Sequence, residues 1–208
     1  MLTRIIIYLA LIFSVLISLF LLYWRLIFLR DPKRTAPKGR KIVSPADGKI
    51  LKIATINKSS IKIDKKYIGK IYTTTKDIAP KTKIISIFMS PLDVHYNRSP
   101  VDGRILSIKY TKGKFFPANN LEKSLQNEKN EIIIKNKIIG KIKVIQIAGI
   151  LARRIQCYVK KNQNIIKAQK IGLINLGSQC ILILPNEIRL KVKEGQQVYA
   201  GTTIIAEY

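Results

Sequence analysis

Nineteen consecutive residues near the N-terminus, Ile5 to Tyr23, carry no charge. As a helix such a run rises roughly 28 Å, close to the hydrocarbon thickness of a bilayer. A secretory signal peptide has a shorter apolar core with small residues at a cleavage site after it. Here Trp24-Arg-Leu-Ile-Phe-Leu-Arg30 follows instead. Tyr23 and Trp24 suit the headgroup level. Arg25, Arg30, Lys33, Arg34, Lys38, Arg40 and Lys41 crowd the C-terminal flank, against Arg4 alone on the other. The positive-inside bias therefore predicts a membrane anchor over residues 1–30, with residues 31–208 on the cytoplasmic side of the cell membrane. A helix buried in the core is the competing reading, and the run fits an interfacial helix as well as a spanning one.

The formal net charge is +26, from 38 basic and 12 acidic residues. That excess points to a polyanionic partner, either nucleic acid or an anionic membrane surface. The first thirty residues hold three arginines and no acid, so the excess belongs to the rest of the chain. Near anionic headgroups each lysine or arginine is worth about 1 kcal/mol. The basic residues are scattered through strand-like alternation and are not gathered with aromatics into one module, so no nucleic-acid partner is expected. Cys157 and Cys180 have no paired spacing, which predicts no metal site and gives no sign of an oxidising compartment. His95 is the single histidine.

Asp31-Pro-Lys-Arg-Thr-Ala-Pro-Lys-Gly-Arg40 reads as a polar, proline-marked linker. Helical periodicity then almost disappears. Strand-like segments follow at Lys49–Ile56, Tyr67–Thr74, Ile84–Met89, Arg104–Tyr110, Glu131–Lys135, Ile138–Ile147, Ile155–Val159, Ile171–Leu176, Cys180–Leu184, Arg189–Val192 and Thr203–Glu207. They are short, rich in isoleucine and valine, and bounded by Gly, Asn or Pro, which predicts a mainly β domain of barrel or sandwich type. Lysine alternates with isoleucine through Ile132–Val144, predicting one buried and one solvated face. Asn119–Asn130 reads as a loop or short helix.

Three stretches carry candidate chemistry. Ser44-Pro-Ala-Asp-Gly48 favours a tight turn and places Asp47 in it. Phe88-Met-Ser-Pro-Leu-Asp-Val-His-Tyr-Asn-Arg-Ser-Pro-Val-Asp-Gly103 puts Asp93, His95, Asn97 and Arg98 straight after an apolar strand, and in extended geometry the first three share a face. Polar groups so dense at the end of a buried strand are costly to desolvate. Ile171-Gly-Leu-Ile-Asn-Leu-Gly-Ser-Gln-Cys-Ile-Leu-Ile-Leu-Pro185 sets two apolar runs around the Gly177–Ser178 bond. Structurally this is two buried strands joined by a tight corner. Chemically it places a hydroxyl beside an unhindered carbonyl.

Together these segments resemble the phosphatidylserine decarboxylase family, in its short membrane-anchored form. The resemblance covers nearly the whole chain: Phe28-Leu-Arg-Asp-Pro32, the Ser-Pro-Ala-Asp-Gly turn, Ser90-Pro-Leu-Asp-Val-His-Tyr-Asn-Arg98, Gly113-Lys-Phe-Phe116, Gln146-Ile-Ala-Gly-Ile-Leu-Ala-Arg-Arg-Ile155, then the Gly-Ser before a strand ending in proline. Lys129 and Asn175 depart from residues usual in the family. The resemblance implies that Ser178 attacks the Gly177 carbonyl and that the chain cleaves itself into a β chain, Met1–Gly177, and an α chain, Ser178–Tyr208, which stay together as a heterodimer. It also implies that Ser178 becomes a pyruvoyl group, the cofactor that forms a Schiff base with the amine of phosphatidylserine and accepts the electrons released with carbon dioxide. Glycine leaves the attacked carbonyl open. A serine hydroxyl needs a base, and His95 has the ordinary pKa that suits the task. Asp47, matching the family's aspartate, is placed to orient the imidazole or to stabilise its cation. In longer members the processing histidine lies three residues further on, at the position of Arg98. Either His95 serves both self-cleavage and decarboxylation, or another group is the first base. Arg98, Arg153 and Arg154 are candidates for the lipid phosphate by residue type.

Archaetidylserine is an equally compatible substrate. A non-enzymatic reading is an anchored β carrier or binding domain. Val192-Lys-Glu-Gly-Gln-Gln-Val-Tyr-Ala-Gly201 resembles the hairpins of biotin and lipoate carriers, but no modifiable-lysine turn accompanies it, which leaves shared barrel-sandwich architecture as its meaning.

Overall fold

The computed structural model describes residues 1–57, 75, 77–114, 116–118, 121–149, 155–175 and 178–208; the strand expected over Tyr67–Thr74 lies outside them. Leu2–Tyr23 (α1) is helical, as its composition predicts, and one π-helical turn, Trp24–Phe28, continues it. No residue of α1 is buried, which removes the core-helix reading. Leu2–Phe28 contains an 18-residue stretch with a mean hydropathy of 3.0 and is long and apolar enough to cross a membrane.

The rest is mainly β. In chain order the strands are β1 (Lys41–Val43), β2 (Gly48–Asn57), β3 (Lys81–Met89), β4 (Tyr96–Arg98), β5 (Gly103–Thr111), β6 (Lys129–Asn136) and β7 (Gly140–Ile147). There follow β8 (Ile155–Cys157), β9 (Asn164–Ile165), β10 (Lys170–Ile174), β11 (Ser178–Pro185), β12 (Arg189–Leu190), β13 (Gln197–Val198) and β14 (Ile204–Glu207). A curled eight-stranded sheet runs β13-β2-β3-β11-β7-β6-β5-β9, accompanied by three-stranded sheets β1-β14-β12 and β4-β10-β8. A four-residue helix, α2 (Leu121–Ser124), falls where a loop or short helix was expected.

The main core lies on the concave face of the large sheet. Ile85 and Ile87 of β3, Ile132 and Ile134 of β6, Ile142 and Val144 of β7, and Cys180, Leu182 and Leu184 of β11 point into it at the two-residue spacing of strands. The lysine–isoleucine alternation predicted a solvated opposite face, and the central strands depart from that. Ile84, Ile145, Ile147, Ile181 and Ile183 form a second buried cluster there, packed by Ile56, Ile78 and Leu125. Lys143 is buried on the same strand as Ile145, with its ammonium 2.8 Å from Asp77 and 3.1 Å from Glu131. The segments that hold Asp77, Ile78 and Leu125 cover this face, so polarity alone could not show which lysines reach water. The expected strand Ile138–Ile147 begins two residues late because Asn136 Oδ1 accepts from the N–H of Ile138 and Ile139, tying the hairpin turn. The Asp47-Gly48 turn enters β2 at Gly48, whose φ of +142° and close approach exclude a side chain: a Cβ would sit 2.0 Å from the Phe88 carbonyl oxygen.

Candidate active site

Two connections between strands meet through their flanking strands. The first, Ser90–His95, joins β3 to β4; the second joins β10 to β11. Because β11 pairs antiparallel with β3 and β10 with β4, each corner's flanking strands bond to the other's. Ser178 is opposite Met89, and Leu173 is opposite Tyr96. The Ile174 N–H donates to the His95 carbonyl at 3.3 Å. The corner between β10 and β11 is therefore not a hairpin: it carries the chain from a small sheet to the large one. Gly177 itself lies outside the described residues, as do Arg153 and Arg154. Register alone thus pairs the strands that flank His95 and Ser178, which are distant in sequence.

His95 is fully buried. Its Nδ1 lies 2.8 Å from the Asp93 carbonyl oxygen, which can only accept, so Nδ1 carries the proton. Nε2 is then the lone-pair nitrogen, and it is buried without a hydrogen-bond partner among the described residues. The Phe28 ring tilts over the imidazole at 4.3 Å between centroids, and Trp24 stacks on Phe28 at 4.4 Å. Burial lowers the pKa of His95 to about 4; the Asp93 carbonyl and carboxylate oppose that shift, and the Arg30 charge adds to it. At neutral pH this is a neutral base with a free nitrogen.

The burial has a consequence for stability. The unfolded chain takes up a proton on its histidine below about pH 6.5, whereas the folded chain does so only near 4. Stability therefore falls as pH drops through that window, by about 3 kcal/mol. We expect the urea midpoint of the wild-type chain to fall between pH 7 and pH 4.5 by more than that of a His95→Gln chain. Equal falls would remove the buried neutral imidazole as the cause.

Ser178 is fully buried at the first position of β11, facing the core. Its Oγ has a weak partner, the Met89 sulfur at 3.5 Å. The Asn97 side-chain amide, also fully buried, approaches the same sulfur with Nδ2 at 3.6 Å. Its Oδ1 accepts from Gln146 Nε2 at 2.9 Å, and Gln146 Oε1 accepts from Asn130 Nδ2 at 2.9 Å. Asn130 and Gln146 occupy the inward positions at the site end of β6 and β7. Gly172 on β10 makes room for them, since a Cβ there would lie 2.5 Å from Gln146 Nε2 and 2.4 Å from the Gln156 carbonyl. Gly172→Ala should destabilise the chain by about 1–3 kcal/mol, read as a lowered urea midpoint. An unchanged midpoint would mean that Gln146 is free to move aside.

Asp47 is buried close by, but its bonds run elsewhere. Oδ2 lies 2.6 Å from Arg34 Nη2, and Oδ1 accepts from the Ala200 N–H at 2.7 Å. The imidazole-orienting bond expected of Asp47 is made by the Asp93 main chain. Desolvation raises the Asp47 pKa, with Asp93 adding to it, against Arg34 and the Ala200 N–H. Arg98 donates from Nη1 to the Ala168 carbonyl at 2.9 Å and from Nη2 to Asp31 at 2.5 Å. Asp31 also holds Lys170 at 2.8 Å; burial alone would raise its pKa, but Lys170 and Arg98 bring it below the usual value. Arg98 is thus committed to the linker and not open toward solvent.

The family model for phosphatidylserine decarboxylase matches residues 21–206. The chain belongs to the phosphatidylserine decarboxylase family. A protein of Methanocaldococcus jannaschii, provisionally assigned as an archaetidylserine decarboxylase proenzyme, is 42% identical over 191 residues, covering 89% of this chain and 90% of its own. The phosphatidylserine decarboxylase proenzyme of Chlorobium limicola is 39% identical over 200 residues, covering 96% of this chain and 84% of its own. That of Carboxydothermus hydrogenoformans is 42% identical over 180 residues, covering 86% and 76%.

The phosphatidylserine decarboxylase match begins at residue 21, so it leaves out most of α1 but includes the turn that docks on His95. That docking is extensive. Tyr23 Oη donates to the Pro91 carbonyl at 2.7 Å, and the Arg30 guanidinium to the carbonyls of Ile27 and Leu92. The Arg34–Asp47 and Asp31–Arg98 pairs fasten the linker behind it. In sequence this segment reads as a tether, and nothing in its composition reveals a packed wall. Met89, Gln146 and Asn130 also escaped sequence reasoning as site residues. The available signal was parity: polar residues on the inward register of otherwise apolar strands.

Proposed function

We propose that the chain is a self-processing phospholipid decarboxylase that acts on phosphatidylserine at a membrane surface. The observation that carries this reading is a buried serine hydroxyl opposite the end of β3, whose following corner carries a neutral histidine with no Nε2 partner among the described residues. Groups left so poorly satisfied in a packed core are rarely structural. In self-cleavage His95 Nε2 takes the Ser178 Oγ proton, and Oγ bonds to the Gly177 carbonyl carbon. The Gly177–Ser178 C–N bond then breaks, with the proton passing to the Ser178 nitrogen. Loss of the Ser178 Cα proton next expels the Gly177 carboxylate from Cβ. Water replaces the nitrogen, ammonia leaves, and a pyruvoyl group remains at the head of β11.

The residues present fit that group: Ser178 starts a strand buried on both faces, Asn97 Nδ2 shares the Met89 sulfur with its Oγ, and His95 Nε2 is left without a partner among the described residues. A pyruvoyl ketone supplies an acceptor for the substrate amine and a sink for the electron pair released with carbon dioxide. His95, neutral at rest, would take up a proton on Nε2 and return it. Phe28 and Trp24 keep water from the imidazole. Asp47 acts as a positioning residue, locking the linker through Arg34. Arg98 would meet a lipid phosphate by exchanging it for Asp31, and Arg153 and Arg154 remain candidates by residue type. After cleavage the α chain keeps β11 between β3 and β7, both of which belong to the β chain, so the pieces stay a heterodimer. The exposed apolar helix α1 supports a membrane anchor, with the cationic domain on the cytoplasmic side.

The test is carbon dioxide release from vesicles. Phosphatidylserine in the bilayer should yield the ethanolamine lipid; no product from any serine lipid would overturn the assignment. The similarity to the M. jannaschii protein favours a second substrate, archaetidylserine, and parallel vesicles of that ether lipid separate the two.

A further inference from the structure

We propose that the Asn97 side-chain amide is a catalytic hydrogen-bond donor to the oxyanion formed when Ser178 attacks, and that Gln146 is the positioning residue that aims it. This rests on the self-cleavage reading above. The amide chain runs one way, since the Pro45 carbonyl and Met89 sulfur that face Asn97 can only accept: Asn130 Nδ2 donates to Gln146 Oε1, and Gln146 Nε2 donates to Asn97 Oδ1. With its oxygen occupied, Asn97 must present its NH2 group to the other side. There it finds the Pro45 carbonyl at 3.5 Å and the Met89 sulfur at 3.6 Å, both too distant or too soft to satisfy it. The Ser178 hydroxyl bears on that same sulfur at 3.5 Å. A fully buried amide donor therefore shares the Met89 sulfur with the nucleophile, with its strong bond still to be made.

The chemistry of the step calls for such a donor. Addition of Oγ turns the Gly177 carbonyl oxygen into an oxyanion, and collapse breaks the C–N bond as the nitrogen takes the proton. A preorganised N–H that meets this charge in a dry site typically accounts for about 10²–10³ in rate. A purely structural amide would instead have both ends satisfied, as Asn127 has: its Nδ2 donates at 2.7 and 2.9 Å, and its Oδ1 accepts at 2.7 Å.

Asn97→Asp keeps the shape and the acceptor for Gln146 but replaces the donor with an anion. The full-length chain, made by cell-free translation with vesicles, is followed by intact mass as it cleaves. Near pH 7.5 the variant should fold yet cleave about 100-fold or more slowly than wild type. The rate should recover toward pH 5 as the carboxyl takes a proton and becomes a donor. The groups bonded to this side chain, Gln146, Met89 and Pro45, do not titrate. Nearby in the chain lie His95, Arg98, Asp93 and, beyond Pro45, Asp47; His95 stays neutral down to about 4, so the wild-type rate should be nearly flat over that range. A folded Asn97→Asp chain that cleaves within about threefold of wild type, with the same pH profile, overturns the proposal. If that variant does not fold, Asn97→Ala carries the test: folded and slow supports a donor, folded and fast overturns it. Failure of both to fold assigns the amide to the core and overturns it too. A wild-type chain that never cleaves would instead defeat the reading on which the inference rests.

Discussion

Ser178→Ala leaves the chain in one piece and without decarboxylase activity. No other hydroxyl occupies that position, so the loss is total and not partial: no smaller chain by mass and no carbon dioxide above background. The fold should hardly notice. The hydroxyl's hydrogen bond is to a thioether, so its removal should change stability by less than about 1 kcal/mol. That separation of fold from chemistry makes the variant informative. A cut Ser178→Ala chain would place cleavage elsewhere.

The second large effect is at His95. His95→Gln preserves a planar polar side chain under Phe28 but removes the basic Nε2. Self-cleavage should slow by about 10²–10⁴, the usual worth of a positioned general base. Pre-cleaved material would be needed to test decarboxylation separately, for instance from slow accumulation of the variant's own cut form. If His95→Gln cleaves at the wild-type rate, another group takes the serine proton and His95 is confined to decarboxylation.

Much of the fold was legible because its strands are long enough to show alternation. β2, β3, β5, β6, β7 and β11 were each anticipated within a few residues. The strands Lys41–Val43, Tyr96–Arg98, Asn164–Ile165 and Gln197–Val198 were not, since two or three residues carry no periodicity. Sequence singled out His95 and Ser178 but could not show how their flanking strands pair. That β4 pairs with β10 while β3 pairs with β11 is a matter of register between distant segments. It also misassigned the partner of the imidazole. A carboxylate in a turn motif is visible in sequence, whereas the main-chain oxygen of Asp93 that takes the bond is not. The anchor shows the same limit. Its apolar run announces a membrane, yet Phe28 closing over His95 is visible only in three dimensions. On the proposed reading, a membrane helix whose last turn covers His95 would couple self-cleavage and catalysis to the lipid surface.

The intact mass of the purified wild-type protein tests the central claim most directly. The account predicts two polypeptides, Met1–Gly177 and Ser178–Tyr208, with the smaller one blocked at its N-terminus and reactive toward carbonyl reagents. An active preparation consisting of one uncut chain, with Ser178 intact, would contradict it.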